Sequence, residues 1–165
     1  MLGFGNKGAL PLEEFLANPT GFILIDVRGG PATEPAIPTS QSIYVLHIEE
    51  DPEGFERRFA AQLTKKPMLL YCSKGESSLF LLPKFSGKHH IRSLKGGMVA
   101  YLTTLSRLLH EHPYEDPGKK GDTMVKILKA LTDRQTDETT FRKIIERLLR
   151  CAPNPKFRKL IRQGV

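Results

Sequence analysis

Short apolar runs alternate with amphipathic stretches along the first two-thirds of the chain. The continuous apolar run FILIDV (22–27), with glycines close to both ends, predicts a buried parallel strand. SIYVL (42–46), PMLLYC (67–72) and HIRSL (90–94) are the other predicted strands. Helical spacing predicts helices between them, at PLEEFLANP (11–19), PEGFERRFAAQL (52–63), SSLFLL (77–82) and MVAYLTTLSRLLHEH (98–112). This alternation indicates an α/β fold, with a parallel sheet of four to five strands and helices on both faces.

The last part of the chain has a different pattern and a different charge. Beyond a polar linker at 113–120, only helical periodicity remains, which predicts an α-helical extension over 121–165. Residues 119–165 carry a charge of +8, from 13 Lys or Arg and 5 Asp or Glu, whereas the preceding residues carry −1. A basic amphipathic helix can bind a protein partner, or it can cap the body with its charges in solvent. Both alternatives stay open, and nucleic acid is not the partner we expect.

The number of cysteines and the hydropathy of the chain indicate the cellular compartment that we expect. Two cysteines, Cys72 and Cys151, make neither a disulfide framework nor a zinc site, and free thiols are typical of a reducing compartment. Cys151 falls among apolar helical positions, as a packing residue or as a thiol that resolves a persulfide. No run has the length of a membrane span or the pattern of a signal peptide. We therefore expect a cytoplasmic protein with no metal and no cofactor.

Cys72 ends the third predicted strand, just before a predicted helix. In parallel α/β folds, ligands bind beyond the carboxyl ends of the strands. A loop between a strand and a helix can direct backbone N–H groups and the helix dipole at a sulfur, which stabilises a thiolate. Gly75 permits a positive φ, Lys74 adds a cation that suits an anionic substrate, and Glu76 opposes both unless it faces solvent. The alternative is an inert cysteine at the end of a buried strand.

Four short motifs, in order, resemble a rhodanese domain. They are IDVRGG (25–30), AIPTSQSI (36–43), YCSKGESS (71–78) and LKGGMVAYL (94–102). The family has Asp-Val-Arg after its first core strand and Ile-Pro before its second. Its active loop reads Cys-x-x-Gly-x-(Arg/Ser/Thr), and Leu-x-Gly-Gly precedes its closing helix. The resemblance covers about residues 8–112 and implies a rhodanese-like, doubly wound parallel sheet, followed by the basic extension.

The resemblance also implies a site and an activity. Cys72 would accept a sulfane sulfur as a persulfide and pass it to a thiophilic acceptor. The donor would be a small anion, and the acceptor a thiol or a cyanide-type nucleophile. Amides of the loop would hold the terminal sulfur, and the loop residues are Ser73, Lys74, Gly75, Glu76, Ser77 and Ser78. Asp26 and Arg28 match the Asp-Val-Arg motif, and we expect Arg28 to pair with Glu34 as structural support.

Loop length separates this interpretation from a related one. Phosphatase relatives need an Arg six positions after the cysteine, because its fork clamps the phosphoryl oxygens. That position is Ser78 here, and no Arg occurs between Arg58 and Arg92. The sequence departs from the rhodanese pattern by Pro35-Ala36 in place of Gly-His before Ile37, and by Glu76 in the loop. A non-enzymatic rhodanese-like module, whose basic tail binds a protein, is therefore the alternative function.

A second, shorter resemblance lies at the end of the chain. The segment IIERLLRCAPNPKFRKLI (144–161) resembles the opening of a PUB domain, with a leucine-rich helix, an Asn-Pro turn and a Lys-Phe-Arg motif. PUB domains are helical adaptors for the tails of a hexameric AAA ATPase. The resemblance implies a protein partner for the extension in a quality-control setting.

Overall fold

A five-stranded, all-parallel sheet forms the centre of the molecule. The structure, a computed structural model, describes residues 8–30 and 34–157. The strand order is β1-β5-β4-β2-β3. The strands are β1 (Ala9–Leu10), β2 (Ile23–Asp26), β3 (Gln41–Ser42), β4 (Met68–Tyr71) and β5 (Ile91–Leu94). Parallel neighbours require crossover connections, and helices supply most of them. The predicted α/β class is confirmed, and so is the parallel sheet.

Helices cover both faces of this sheet. The helices are α1 (Leu12–Ala17), α2 (Val45–Glu50), α3 (Pro52–Leu63), α4 (Glu76–Leu81), α5 (Gly97–Glu111), α6 (Lys120–Leu131) and α7 (Glu138–Arg150). Short 3₁₀ turns follow α4 at Leu82–Lys84 and precede α6 at Pro117–Lys119. Asp51 caps α3 by accepting from the Gly54 N–H, and Asp137 caps α7 by accepting from the Thr140 N–H.

Alternate residues of the central strands enter two separate cores. On β4, Leu69 and Tyr71 join the core beneath α1, α5, α6 and α7. Met68 and Leu70 join the opposite core beneath α2, α3 and α4, and Cys72 continues that alternation. The residues of β4 are fully buried, as expected for a strand covered on both faces. The strand period therefore directs the Cys72 side chain towards α2 and α4.

The structure differs from the prediction in one predicted strand and in one strand that was not predicted. The segment SIYVL does not form a strand: pairing in β3 stops at Ser42, and Val45 begins helix α2. Because β3 is an edge strand with one neighbour, little is gained by extending it, and the helix instead buries Ile48. Strand β1 was not assigned from the sequence, since two residues beside Pro11 give no periodic signal.

The C-terminal extension packs into the same core as the body. Leu131, Phe141 and Ile145 are at most 1% exposed, in one cluster with Phe15 and Tyr101. The basic residues lie on the opposite faces of α6 and α7, where they are exposed. The extension therefore caps the sheet, with most of the basic side chains of α6 and α7 in solvent. The predicted helical segment beginning at Pro155 lies mostly outside the described residues.

Within the described ranges, none of the helices combines the length and the apolar character needed to cross a bilayer.

Candidate active site

Cys72 lies at the carboxyl end of β4 and receives hydrogen bonds at its sulfur. The backbone N–H of Gly75 donates to Sγ at 3.1 Å. The hydroxyl of Ser78 lies 3.4 Å from the same sulfur. The side chain borders the apolar core of α2 and α4 and is 6% exposed, so it is more enclosed than the sequence suggested. It nevertheless lines an open cleft on one side.

Gly75 and the close approach of Gly97 explain how the loop directs its backbone N–H groups towards the sulfur. Gly75 has φ of 88°, as the sequence predicted, and this left-handed residue reverses the chain just before α4. Gly97 lies so close that an added Cβ would come within 2.3 Å of the Cys72 carbonyl oxygen. At the start of α5, the Met98 N–H donates to the carbonyl of Cys72 at 2.8 Å, and the Val99 N–H donates to that of Ser73 at 2.9 Å. With the carbonyls held by α5, the following N–H groups face the sulfur.

The electrostatic balance at the sulfur favours the thiolate. Burial is the largest influence and raises the pKa of Cys72. Hydrogen bonds from the hydroxyl and N–H of Ser78 and from the N–H groups of Gly75 and Lys74 act in the opposite direction. Together they lower the pKa of Cys72 below its usual value. The nucleophilic form is therefore more populated near neutral pH than it is in a free cysteine.

The structure adds Ser93 to the site, which the sequence analysis missed. Ser93 is buried in β5, and its hydroxyl lies 2.6 Å from that of Ser78. Hydrogen bonding to Ser93 fixes the orientation of the Ser78 hydroxyl beside Cys72. The available signal was a serine in the otherwise apolar end of a predicted strand, since a buried hydroxyl needs a partner.

The remaining loop residues line the mouth of the cleft. Its volume is about 350 Å³. Four exposed loop residues border it, namely Ser73, Lys74, Glu76 and Ser77. The carboxylate of Glu76 is in solvent, so its charge is screened and opposes the thiolate only weakly. The opposite wall comes from Arg28, Tyr44 and their neighbours.

Asp26 and Arg28 form an ion pair with each other. Among the described residues no hydrogen bond joins Arg28 to Glu34, the partner expected from the sequence, although the charge of Glu34 contributes to raising the pKa of Arg28 after the larger effect of Asp26. Arg28 donates from Nε and NH2 to the two carboxylate oxygens of Asp26, both at 2.9 Å. Its NH2 also donates to the Pro35 carbonyl at 2.7 Å. Burial raises the pKa of Asp26, but hydrogen bonds from Arg28 and Arg134 hold it below its usual range. A residue two positions away offers a bidentate fit, which Glu34 on the far side of a loop does not.

The arrangement suits nucleophilic chemistry on a sulfur atom. Cys72, whose thiolate is stabilised by N–H groups, borders a cleft that Arg28 and Lys74 also line. Six positions after Cys72, where a phosphatase needs a guanidinium, the buried Ser78 hydroxyl contacts the sulfur instead. The loop therefore lacks the group that would bind phosphoryl oxygens in two places at once.

Solved structures that are similar to this chain include two of one yeast protein. No model of a protein family matches the sequence, and no curated protein matches it. A structure of Ygr203w, described as a yeast protein tyrosine phosphatase of the rhodanese family, is 15% identical with a TM-score of 0.44, and the match covers 59% of this chain and 86% of that one. A second structure of Saccharomyces cerevisiae Ygr203w is described as a homologue of single-domain rhodanese and the Cdc25 phosphatase catalytic domain. It is 16% identical with a TM-score of 0.45, and the match covers 60% of this chain and 82% of that one.

Proposed function

We propose that this protein is a rhodanese-type sulfurtransferase that carries a sulfane sulfur as a persulfide on Cys72. One observation carries the proposal: the Gly75 N–H and the Ser78 hydroxyl both contact a sulfur that borders an open cleft. The donors that stabilise the resting thiolate are also near enough to stabilise the terminal sulfur of a persulfide. A free thiol of this kind suits a reducing, cytoplasmic setting.

The proposed reaction has two displacement steps. In the first, the Cys72 thiolate attacks the outer sulfur of an anionic donor such as thiosulfate. A sulfur–sulfur bond forms on Cys72, the donor's own sulfur–sulfur bond breaks, and sulfite leaves with the electron pair. In the second, a thiolate or cyanide attacks the outer sulfur of the persulfide, and the Cys72 thiolate is the leaving group. A low pKa assists both steps, because it favours the attacking thiolate and makes it a better leaving group.

Mass spectrometry of the protein treated with thiosulfate tests this function. We expect a gain of one sulfur atom on the peptide that contains Cys72, removed by cyanide with formation of thiocyanate. Cys72→Ser should abolish both products, because no other described thiol lies in this loop. Cys151→Ser is the matched control and should retain them. A folded protein that gives neither adduct nor thiocyanate would refute the proposal.

A non-enzymatic interaction module is the second candidate. It is favoured by exposed basic residues of α6 and α7, among them Lys126, Lys129 and Arg142, and by Val125, which is 67% exposed on α6. An acidic protein surface with an apolar centre would complement these residues. The two functions separate on one variant, since Cys72→Ser would leave partner binding intact while it ends sulfur transfer.

A further inference from the structure

Arg134, in the turn between α6 and α7, reaches the body of the protein at a buried carboxylate. Its NH2 group donates to Asp26 Oδ2 at 2.6 Å, across a sequence separation of 108 residues. The backbone docks there too, because the Ala36 N–H donates to the Thr132 carbonyl and the Thr39 N–H donates to the Arg134 carbonyl. The extension is therefore attached at the end of β2, beside the wall of the Cys72 cleft.

Arg134 and Arg28 share one negative charge. Asp26 is 1% exposed, and its carboxylate accepts hydrogen bonds from both guanidinium groups. The two arginine side chains are themselves only 15% and 18% exposed. Two guanidinium groups on one carboxylate leave a net charge of one proton unit. Arg28 is one of the residues that line the cleft of Cys72, although its guanidinium is turned towards Asp26 and the Tyr71 ring. This positive charge therefore lies at the border of the cleft, near enough for its field to act on an anion there.

A second set of contacts connects Arg134 to the residue next to Cys72. Its NH1 donates to the Ser40 hydroxyl at 3.0 Å, and that hydroxyl lies 2.8 Å from the Tyr71 hydroxyl. Tyr71 immediately precedes Cys72, and the guanidinium of Arg28 lies 5.5 Å from the centroid of its ring. The fork of Arg134 thus holds two groups, Asp26 and Ser40, of which Asp26 pairs with the cleft residue Arg28 and Ser40 contacts the residue before Cys72.

We propose that Arg134 is a positioning residue of the Cys72 site. By neutralising Asp26, it frees the charge of Arg28 to act on anions in the cleft, and it makes the C-terminal extension a part of that site. The inference rests on the proposed function only in taking the sulfur donor as an anion. The charge in the cleft can be measured without any sulfur transfer.

Two alkylating reagents of similar size measure that charge at Cys72 itself. Iodoacetate is an anion and iodoacetamide is neutral, and both form a carbon–sulfur bond with the thiolate while iodide leaves. Their rate ratio therefore reports the local potential, whereas a change in thiol pKa or in access affects both rates alike. Peptide mass spectrometry assigns the product to Cys72, so Cys151 does not contribute to the ratio.

We expect Arg134→Gln to lower the ratio of the iodoacetate rate to the iodoacetamide rate at Cys72 by about threefold to fivefold. This is the order of magnitude expected for the loss of one nearby, partly screened charge. Arg142→Gln removes the same charge from an exposed position on α7 and should change the ratio by less than about 1.5-fold, because solvent screens it. Equal losses with both reagents, an unchanged ratio, or an equal effect in Arg142→Gln would overturn the proposal.

Folding should tolerate the substitution, because Asp26 keeps the three hydrogen bonds from Arg28. If Arg134→Gln yields no folded protein, Arg134→Lys decides, since it keeps the charge beside Asp26. A ratio within about twofold of the unmodified protein supports the proposal, and a loss greater than about threefold contradicts it. If thiosulfate turnover is absent in every variant while the ratios follow this pattern, the sulfurtransferase function fails and the role of Arg134 stands.

Discussion

The two cysteines of this protein have opposite backbone surroundings. Cys72 follows a strand and precedes a helix, where N–H groups converge on its sulfur. Cys151 follows α7, at the end where helix carbonyls are unsatisfied, and its own N–H donates to the Arg147 carbonyl. Among the described residues, no hydrogen bond to the sulfur of Cys151 is recorded. The direction of the nearby peptide groups therefore separates the surroundings of the two thiols more clearly than burial does.

The greatest disruption of this contrast should come from Gly97→Ala. The new Cβ would overlap the Cys72 carbonyl oxygen, and the residue would keep a φ of 55°, so α5 and the loop must separate. We expect the free energy of unfolding to fall by about 2–4 kcal/mol, and the N–H groups to lose their aim at the sulfur. Chemical denaturation and the rate of Cys72 alkylation measure these two effects.

Gly121→Ala is the control for that substitution. Gly121 lies in α6, and an added Cβ meets no atom within 4 Å. Alanine there should leave stability equal or raise it by about 0.5–1 kcal/mol, because it reduces the freedom of the unfolded chain. A Gly97→Ala protein as stable and as reactive as Gly121→Ala would show that the close approach of α5 does not shape the loop.

A smaller effect is expected from Ser78→Ala, which removes one hydrogen bond to the sulfur. The pKa of Cys72 should rise, so its pH profile for reaction with iodoacetamide should move to higher pH. In the unmodified protein the midpoint should lie below the value of about 8.5 for free cysteine. At neutral pH the variant should react about threefold to tenfold more slowly, as expected for one hydrogen bond.

Ser106→Ala provides the comparison, because Ser106 is exposed on α5. Its profile should coincide with that of the unmodified protein. If the Ser78→Ala profile does the same, the hydroxyl does not stabilise the thiolate, and the N–H groups alone account for the lowered pKa.

The smallest effect should follow from Lys74→Gln. Lys74 is exposed at the mouth of the cleft, so salt and water screen its charge. We expect iodoacetate to react with Cys72 about twofold more slowly at low salt, with no difference at high salt and none for iodoacetamide. The exposed Lys143 on α7 serves as the reference position, and Lys143→Gln should change neither rate. A large, salt-independent loss in Lys74→Gln would mean that surface cations outweigh the loop N–H groups.

The sequence predicted the parts of the site that depend on local geometry. Gly75 needs a positive φ wherever the chain turns sharply from a strand into a helix, and the motif spacing located that turn beside Cys72. Strands β2, β4 and β5 and helix α3 were also identified from local signals, namely short runs of strand-forming residues and one apolar helical stripe. These signals lie within a few residues of each other, so periodicity and turn chemistry are enough to read them.

The missed features depend on partners that are distant in the sequence. The bidentate pairing of Arg28 with Asp26, only two positions away, was missed for another reason, because spacing alone does not reveal side-chain direction. Arg134 contacts Asp26 across 108 positions, and nothing in the basic extension distinguishes it from its many neighbouring cations. The segment 42–46 was assigned to a strand from residue type, whereas its place at the sheet edge decided its structure.

The contact between the α6–α7 turn and the end of β2 has a consequence for the order in which the molecule assembles. Closing a loop of that length costs chain entropy, which is recovered only when α7 also packs against the sheet. The Asp26 carboxylate thus gains its second arginine from a residue that leaves the ribosome after all five strands of the sheet. In a nascent chain, Cys72 is therefore present before Arg134 is available to compensate the charge of Asp26. On the proposal made above, the thiol can react before the cleft has gained its preference for anions.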